Sequence, residues 1–202
     1  MVPSLAAVLL LTTSWILGQH PPSSTPATRT HTPGMNRITC KLVNYADPAQ
    51  GQNLVRLLNA YAMDPLGGGT PLTETVQKNL PSRLGAVPHA FSYIAYCGEE
   101  NGDTGTPAGL INCFEAFSTF ACRPLVNVHD VFVLDEFRGQ GVSQALLKAV
   151  EQEAQKRGCC KLTLECLSKN QIALKAYEKS GFGSYELNPE HGVALFLEKK
   201  LY

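Results

Sequence analysis

No excess charge of either sign marks this chain. Lysine plus arginine and aspartate plus glutamate number 17 each in 202 residues. There is no basic stripe to grip nucleic acid and no acidic tail to act as a solvating segment. Function must therefore come from a local site, not from a global field. The sequence holds no Asn-x-Ser/Thr sequon, no internal repeat, no Gly-Lys-Ser/Thr after a glycine loop and no Gly-x-Gly-x-x-Gly. The last two absences exclude a Walker loop and a dinucleotide fingerprint. The cysteines number seven, and none forms a Cys-x-x-Cys pair with histidine spacing, so no zinc or other metal site is expected. Most lie in apolar, strand-like runs, where a free thiol behaves as a small hydrophobe. That usage reads as a reduced, intracellular set.

The N-terminus points the other way. Leu5–Leu17 is a 13-residue apolar run followed by Gly18. It suits the core of a signal peptide and is short for a membrane span. No Lys or Arg precedes it. His20–Gly34 is rich in Pro, Ser and Thr and reads as a disordered linker. Two readings stand: a secretory signal in residues 1–18, or an upstream extension to a domain that begins near Met35. The second gives a cytoplasmic protein and fits the cysteines. Either way, residues 19–34 are linker and 35–202 form one domain with room for a sizeable core.

Within that domain the periodicities alternate. Asn36–Asn44 reads as a strand. Asp47-Pro48 opens a helix, with Asp as N-cap and Pro at the first turn, and the helix ends near Met63. Leu54, Leu57, Leu58 and Tyr61 form its apolar side. A second helix runs from Thr70-Pro71 to about Leu84, with Leu72, Val76 and Leu80 as its stripe. Ala90–Cys97 and Ala108–Phe117 form a hairpin across Gly98–Pro107, and Val126–Leu134 is the next strand. The Gly139–Arg157 helix follows, then a strand at Lys161–Leu167, a helix at Asn170–Ser180, and strands at Phe182–Leu187 and Val193–Lys199. The order β-α-α-β-β-β-α-β-α-β-β predicts an α/β fold, one mixed sheet covered by helices.

The most informative stretch is Val131–Ser143. An apolar strand enters Arg138-Gly139-Gln140-Gly141, and a helix starts at once with Val142, Ala145, Leu146, Ala149 and Val150 on one face. A helix start offers unpaired N–H groups and the positive end of the macrodipole. Gly139 and Gly141 clear side chains from that surface, and Arg138 adds a fixed charge. The plain alternative is a turn whose glycines only make the turn.

Arg138-x-x-Gly141-x-Ser143 resembles the Arg/Gln-x-x-Gly-x-Gly/Ala signature of the GNAT N-acetyltransferases. A second block, Asn170-x-x-Ala173-x-x-x-Tyr177-x-x-x-Gly181-Phe182, resembles the pattern on that family's helix after its fifth strand. The resemblance covers roughly Met35 to Tyr202 and implies the GNAT fold. It implies acetyl-CoA as co-substrate. The pyrophosphate would lie on the main chain of Arg138, Gly139, Gln140, Gly141, Val142 and Ser143. The pantetheine would pair with Val131, Phe132 and Val133 and be held by Asn170 and Ala173. Ser143 departs from the usual Gly or Ala, but it is small and its hydroxyl suits a phosphate. Many members of the family pair as dimers, so a homodimer is compatible.

Acetyl transfer to an amine needs a positioned thioester, a base for the ammonium and an acid for the leaving thiolate. By its place in the second block, Tyr177 is the candidate acid; a Tyr packed between helix and sheet is the alternative. Asn170 is equally readable as a helix N-cap. For the base the chain offers His129, Asp130 and Glu115. The run from Phe117-Ser118-Thr119-Phe120 through His129-Asp130-Val131-Phe132-Val133 to Arg138-Gly139 resembles the diamine acetyltransferase branch. There a strand Glu serves as base, where this chain has His129. Imidazole remains competent near neutral pH, but the loss of that acidic group puts polyamine specificity in doubt. Strict alternation sends His129 and Asp130 to opposite faces unless a bulge intervenes. A His held by Asp130 or a backbone carbonyl for structural reasons is the alternative. Glu115 is the weaker candidate, a second carboxylate for the amine site, and Cys166 reads as a buried hydrophobe more than as an acyl carrier. The expected activity is N-acetylation of a small-molecule primary amine by direct attack in a ternary complex. Protein or peptide N-acetylation, or a non-catalytic acyl-CoA-binding module, are the alternatives.

Overall fold

The computed structural model describes residues 37–98, 105–185, 188, 190, 192 and 194–201. The expectations for residues 1–36, and for the tip of the first hairpin at 99–104, lie outside them. Five strands form one sheet in the order β1-β2-β3-β4-β5. They are β1 (Arg37–Leu42), β2 (Ala90–Gly98), β3 (Thr106–Ser118), β4 (Arg123–Val133) and β5 (Leu162–Leu164). The first four are antiparallel neighbours, and β5 lies parallel to β4. Helices α1 (Pro48–Met63), α2 (Glu74–Gly85), α3 (Val142–Lys156) and α4 (Gln171–Lys179) complete it. The right-handed rule for parallel crossovers accounts for α3 lying on one face, between β4 and β5.

Alternation along the strands builds a core on each face. Tyr93, Ile111, Cys113, Val126 and Val128 meet Leu146, Leu147 and Val150 of α3. On the other face Ile94, Leu110 and Phe132 meet Leu54 and Leu57 of α1. Asp47 caps α1 by accepting the Ala49 and Gln50 N–H groups, with Pro48 in the first turn, as its sequence predicts.

Several boundaries move. The second helix starts at Glu74 and not at Thr70. Leu72 donates its N–H to Asn59 Oδ1, and Thr73 caps the helix. Its stripe of Leu72, Val76 and Leu80 does not become core, since no α2 residue is buried. The third helix begins at Val142 because Gly139 (φ 75°) and Gly141 (φ 86°) are left-handed, a geometry a right-handed helix cannot include. The strand expected to reach Leu167 pairs only through Leu164. The two C-terminal strands are corrected as well. Described residues 182–185 and 194–199 carry no strand, although Leu195, Phe196 and Leu197 have the right pattern. Apolar patterning makes a strand only where a neighbour edge accepts it, and β5 offers three residues.

Candidate active site

The site is built at a break in strand regularity. In β4, Asp130 pairs with Asn112 and Val128 pairs with Cys113, so His129 is an extra residue opposite the Asn112/Cys113 step. A bulge of this kind bends its strand and re-aims a side chain. Here the His129 ring packs edge-on against Phe114, at 5.4 Å between centroids and 83° between planes. Asp130 receives a hydrogen bond from Asn112 Nδ2 at 2.9 Å. Phe114 and Asn112 share the α1 face of β3 by alternation, so the bulge brings His129 and Asp130 to one face. The His129 side chain is exposed, and no described residue makes a hydrogen bond or ion pair with it.

The bulge also opens the sheet. Beyond the Val128–Leu164 pair, β4 continues and β5 does not. Leu134 donates its N–H to Ala108 O. Alternation then turns the main-chain groups of Asp130 and Phe132 toward β3, and those of Val131 and Val133 toward the gap. Val131 and the Val133 N–H therefore present polar main chain where β5 has ended, while the Val133 carbonyl is engaged by Arg138 Nε. Phe132, expected beside them, is corrected. Its main chain belongs to the sheet, and its ring stacks on Tyr61 at 5.5 Å.

At the end of the gap lies the α3 N-terminus. Asp47, Thr73 and Asn170 cap α1, α2 and α4 with their own side chains, whereas no side chain caps α3. A Cβ added at Gly139 would meet nothing within 4 Å, and one at Gly141 only Ile38 Cδ1 at 4.0 Å. The space over the loop is open, at the positive end of the α3 dipole. These features fit a pyrophosphate. The Arg138 guanidinium is a correction. It is committed to Asp64 (2.9 Å) and Asp135 (2.8 Å), and its Nε donates to Val133 O at 3.1 Å. Arg138 thus ties the α1 end to the loop, and the Leu66 N–H and Arg138 together hold the Asp64 carboxyl below the usual carboxylate range. Gln140 Nε2 donates to Glu136 O, and the Ser143 hydroxyl to Gln144 Oε1.

Tyr177 stands on α4, one turn after Ala173, packed against the α3-side core and against Phe182 at 6.0 Å. Burial, and then the Cys166 thiol and Tyr61, push its phenol up from 10.0 to about 12. Asn170 Oδ1 accepts the Ala173 N–H at 3.1 Å, so its cap role is realised. The Cys166 thiol is raised by burial, which keeps it a thiol at neutral pH and disfavours nucleophilic attack.

Two residues change standing. Glu115 does not join the others. Its carboxylate lies 3.3 Å from Arg157 Nη1, on the α3 face and away from Asp130. Tyr61 does join them, and the sequence reading placed it only on an apolar stripe. Its phenol is raised by burial and by Asp130, Asp64 and Cys166. It therefore lies within electrostatic reach of both Asp130 and Tyr177. Its one-turn offset from the buried Leu54 and Leu57 toward the α1 end was the available signal.

The Acetyltransferase (GNAT) family model matches residues 54–182. Thialysine N-epsilon-acetyltransferase of Bos taurus is 32% identical over 99 residues, 49% of this chain and 55% of that protein. An acetyltransferase of Agrobacterium fabrum is 34% identical over 82 residues, 41% of this chain and 53% of that one. The matched region spans about half or less of the length of these curated relatives. Among solved structures, a probable acetyltransferase has a TM-score of 0.64 at 22% identity, covering 81% of this chain and 99% of its own. An aminoglycoside acetyltransferase, AAC(6')-Iy, in complex with a bisubstrate analogue has a TM-score of 0.61 at 18% identity, with 81% and 99% covered. These two likenesses speak to the fold. Among the described residues, no helix is long and apolar enough to cross a membrane.

Proposed function

The chain belongs to the acetyltransferase (GNAT) family, and from that premise we propose that it transfers an acetyl group from acetyl-CoA to a primary amine of a small molecule. The observation that carries this reading is the convergence at the gap. The bulged His129–Asp130 pair, the open main chain of Val131, the Val133 N–H, the uncapped α3 start and Tyr177 gather around it.

Acetyl-CoA supplies an activated thioester. The amides of Gly139 to Ser143 would hold its pyrophosphate, and Val131 and Val133 would pair with the amides of its pantetheine arm. Asn170 and Ala173, at the start of α4, would hold the arm, Asn170 through its Nδ2 because its Oδ1 caps the helix. His129 takes the proton from the incoming ammonium. The amine nitrogen then attacks the thioester carbonyl carbon directly, the C–S bond breaks, and the nitrogen's surplus proton passes to solvent as the amide forms. Tyr177 returns a proton to the departing thiolate. A phenol raised to about 12 keeps its proton throughout the neutral range. No acyl-enzyme is required, consistent with the elevated Cys166 thiol.

The relative named for the epsilon-amine of thialysine supports an amine acceptor of the small-molecule class. The test is acetyl-CoA with a panel of thialysine, diamines, aminoglycosides and short peptides, read by mass spectrometry and CoA release. Acetylation confined to small amines supports the reading. Acetylation of peptides alone, or CoA binding without turnover on any amine, overturns it.

Tyr177→Phe is expected to slow turnover by about 10²-fold, the lower end for a lost general acid, with acetyl-CoA affinity kept. The sign of its pH effect follows from the raised phenol. The native protein binds this proton more tightly than the unfolded chain, so the contribution to stability is complete below pH 10.0 and lost as pH rises toward about 12. The Phe variant should show a shallower loss of melting temperature across that window. An unchanged rate would return Tyr177 to a packing role.

A further inference from the structure

Beneath the site, on the α1 face, runs a chain of polar side chains in an otherwise apolar layer. Tyr45 Oη lies 2.8 Å from Ser92 Oγ, Ser92 Oγ donates to Asn112 Oδ1 at 2.6 Å, and Asn112 Nδ2 donates to Asp130 Oδ2 at 2.9 Å. Ser92 is 1% exposed and Asn112 4%, while their neighbours on this face, Ile94, Leu110 and Phe132, are core. An apolar pair would satisfy the packing without any need for partners, so the polar pair calls for a reason.

Its hydrogens can run in one direction only. A serine hydroxyl has one hydrogen, and here it goes to Asn112. Tyr45 must therefore donate to Ser92. Asn112 Oδ1 is thereby fixed as the acceptor, so Nδ2 faces Asp130. A flipped amide would set two acceptor oxygens, Asn112 Oδ1 and Asp130 Oδ2, against each other. Each bond polarises the next in the same sense, toward the carboxylate. The chain ends beside the bulge, where the strand's own hydrogen bonding is interrupted and a side chain most needs an external hold. Asp130 Oδ2 is engaged in this way, while no described residue makes a hydrogen bond to Oδ1. The other titratable groups near Asp130 are Tyr61 from α1, Cys113 from β3 and His129 on its own strand.

We propose that Asn112, locked by Ser92 and Tyr45, is a positioning residue that fixes the Asp130 carboxylate so that Oδ1 accepts a hydrogen bond from the acceptor amine. This rests on the acetyltransferase reading above. It makes Asp130 the acceptor anchor and leaves proton removal to His129.

The test is steady-state kinetics of the full chain, using the small amine that the panel selects. Asn112→Leu is expected to raise the acceptor KM by about 10- to 100-fold, the range for losing a bond to a charged group, and Tyr45→Phe by about 2- to 5-fold. The acetyl-CoA KM should stay within about 2-fold, because the chain does not touch the cofactor loop. In an Asp130→Asn background, adding Asn112→Leu should change the acceptor KM by less than about 2-fold, since residues that act through one another are not additive. A brace of the sheet would lower the melting temperature but would give neither the KM split nor the non-additivity. An unchanged acceptor KM in Asn112→Leu, or effects that multiply in the double variant, overturns the proposal. Should Asn112→Leu fail to fold, Ser92→Ala replaces it in the same comparison, with the same outcomes decisive. Absence of turnover by the unmodified chain on any amine overturns the acetyltransferase reading and this inference with it. Turnover with unaffected variants overturns this inference alone.

Discussion

His129→Ala is expected to slow kcat/KM by about 10²- to 10⁴-fold, with acetyl-CoA affinity unchanged. The structure makes this variant easy to interpret. The ring is exposed, and among the described residues it packs edge-on against Phe114. Losing that contact costs about 0.5–1.5 kcal/mol, so a fall in rate cannot be assigned to unfolding. His129→Glu would install the residue of the diamine branch at the bulge and should recover part of the rate. It should also favour acceptors carrying a second positive charge, through the acidic pair it would form with Asp130. If His129 serves only as packing, His129→Ala would lower the melting temperature slightly and leave kcat/KM within about 2-fold. The base would then be Asp130 or the solvent, since Glu115 is held by Arg157 on the opposite face.

What could be read from the sequence was what depends on neighbours in the chain. The Asp47 and Asn170 caps, the strand–glycine–helix turn and the alternation of β2 to β4 are set by residues within a few positions of each other. What could not be read depends on a partner far along the chain. The bulge at His129 exists only relative to Asn112 and Cys113 on β3. Alternation alone therefore separated two side chains that the fold brings together. Arg138 looked free for a phosphate until Asp64, 74 residues away, claimed it, and Arg157 removed Glu115 from the site in the same way. Tyr61 was visible as a helix residue, but its nearness to Asp130 and Cys166 is a tertiary fact. The C-terminal apolar segments carry strand patterning without a pairing edge, which is the property that local propensity cannot supply.

Gly141→Val is expected to weaken acetyl-CoA binding by about 1–3 kcal/mol, a loss of roughly 5- to 150-fold in affinity. Two effects combine. At φ 86° the residue is left-handed, so a β-branched side chain is strained. Its Cβ would also point into the open space over the α3 amides, with Ile38 Cδ1 at 4.0 Å as the nearest protein atom. That is the space a pyrophosphate would occupy. Gly158 separates the two effects. It is also left-handed, at φ 71°, with nothing within 4 Å of an added Cβ, but it follows the C-terminal end of α3. Gly158→Val should therefore lower the melting temperature by a similar amount, the cost of a strained residue being about 1–2 kcal/mol, while leaving acetyl-CoA affinity intact. Calorimetric titration of both variants gives the answer. Equal loss of affinity in the two would mean that the effect travels through the stability of α3. Loss confined to Gly141→Val would mean that the loop itself touches the cofactor.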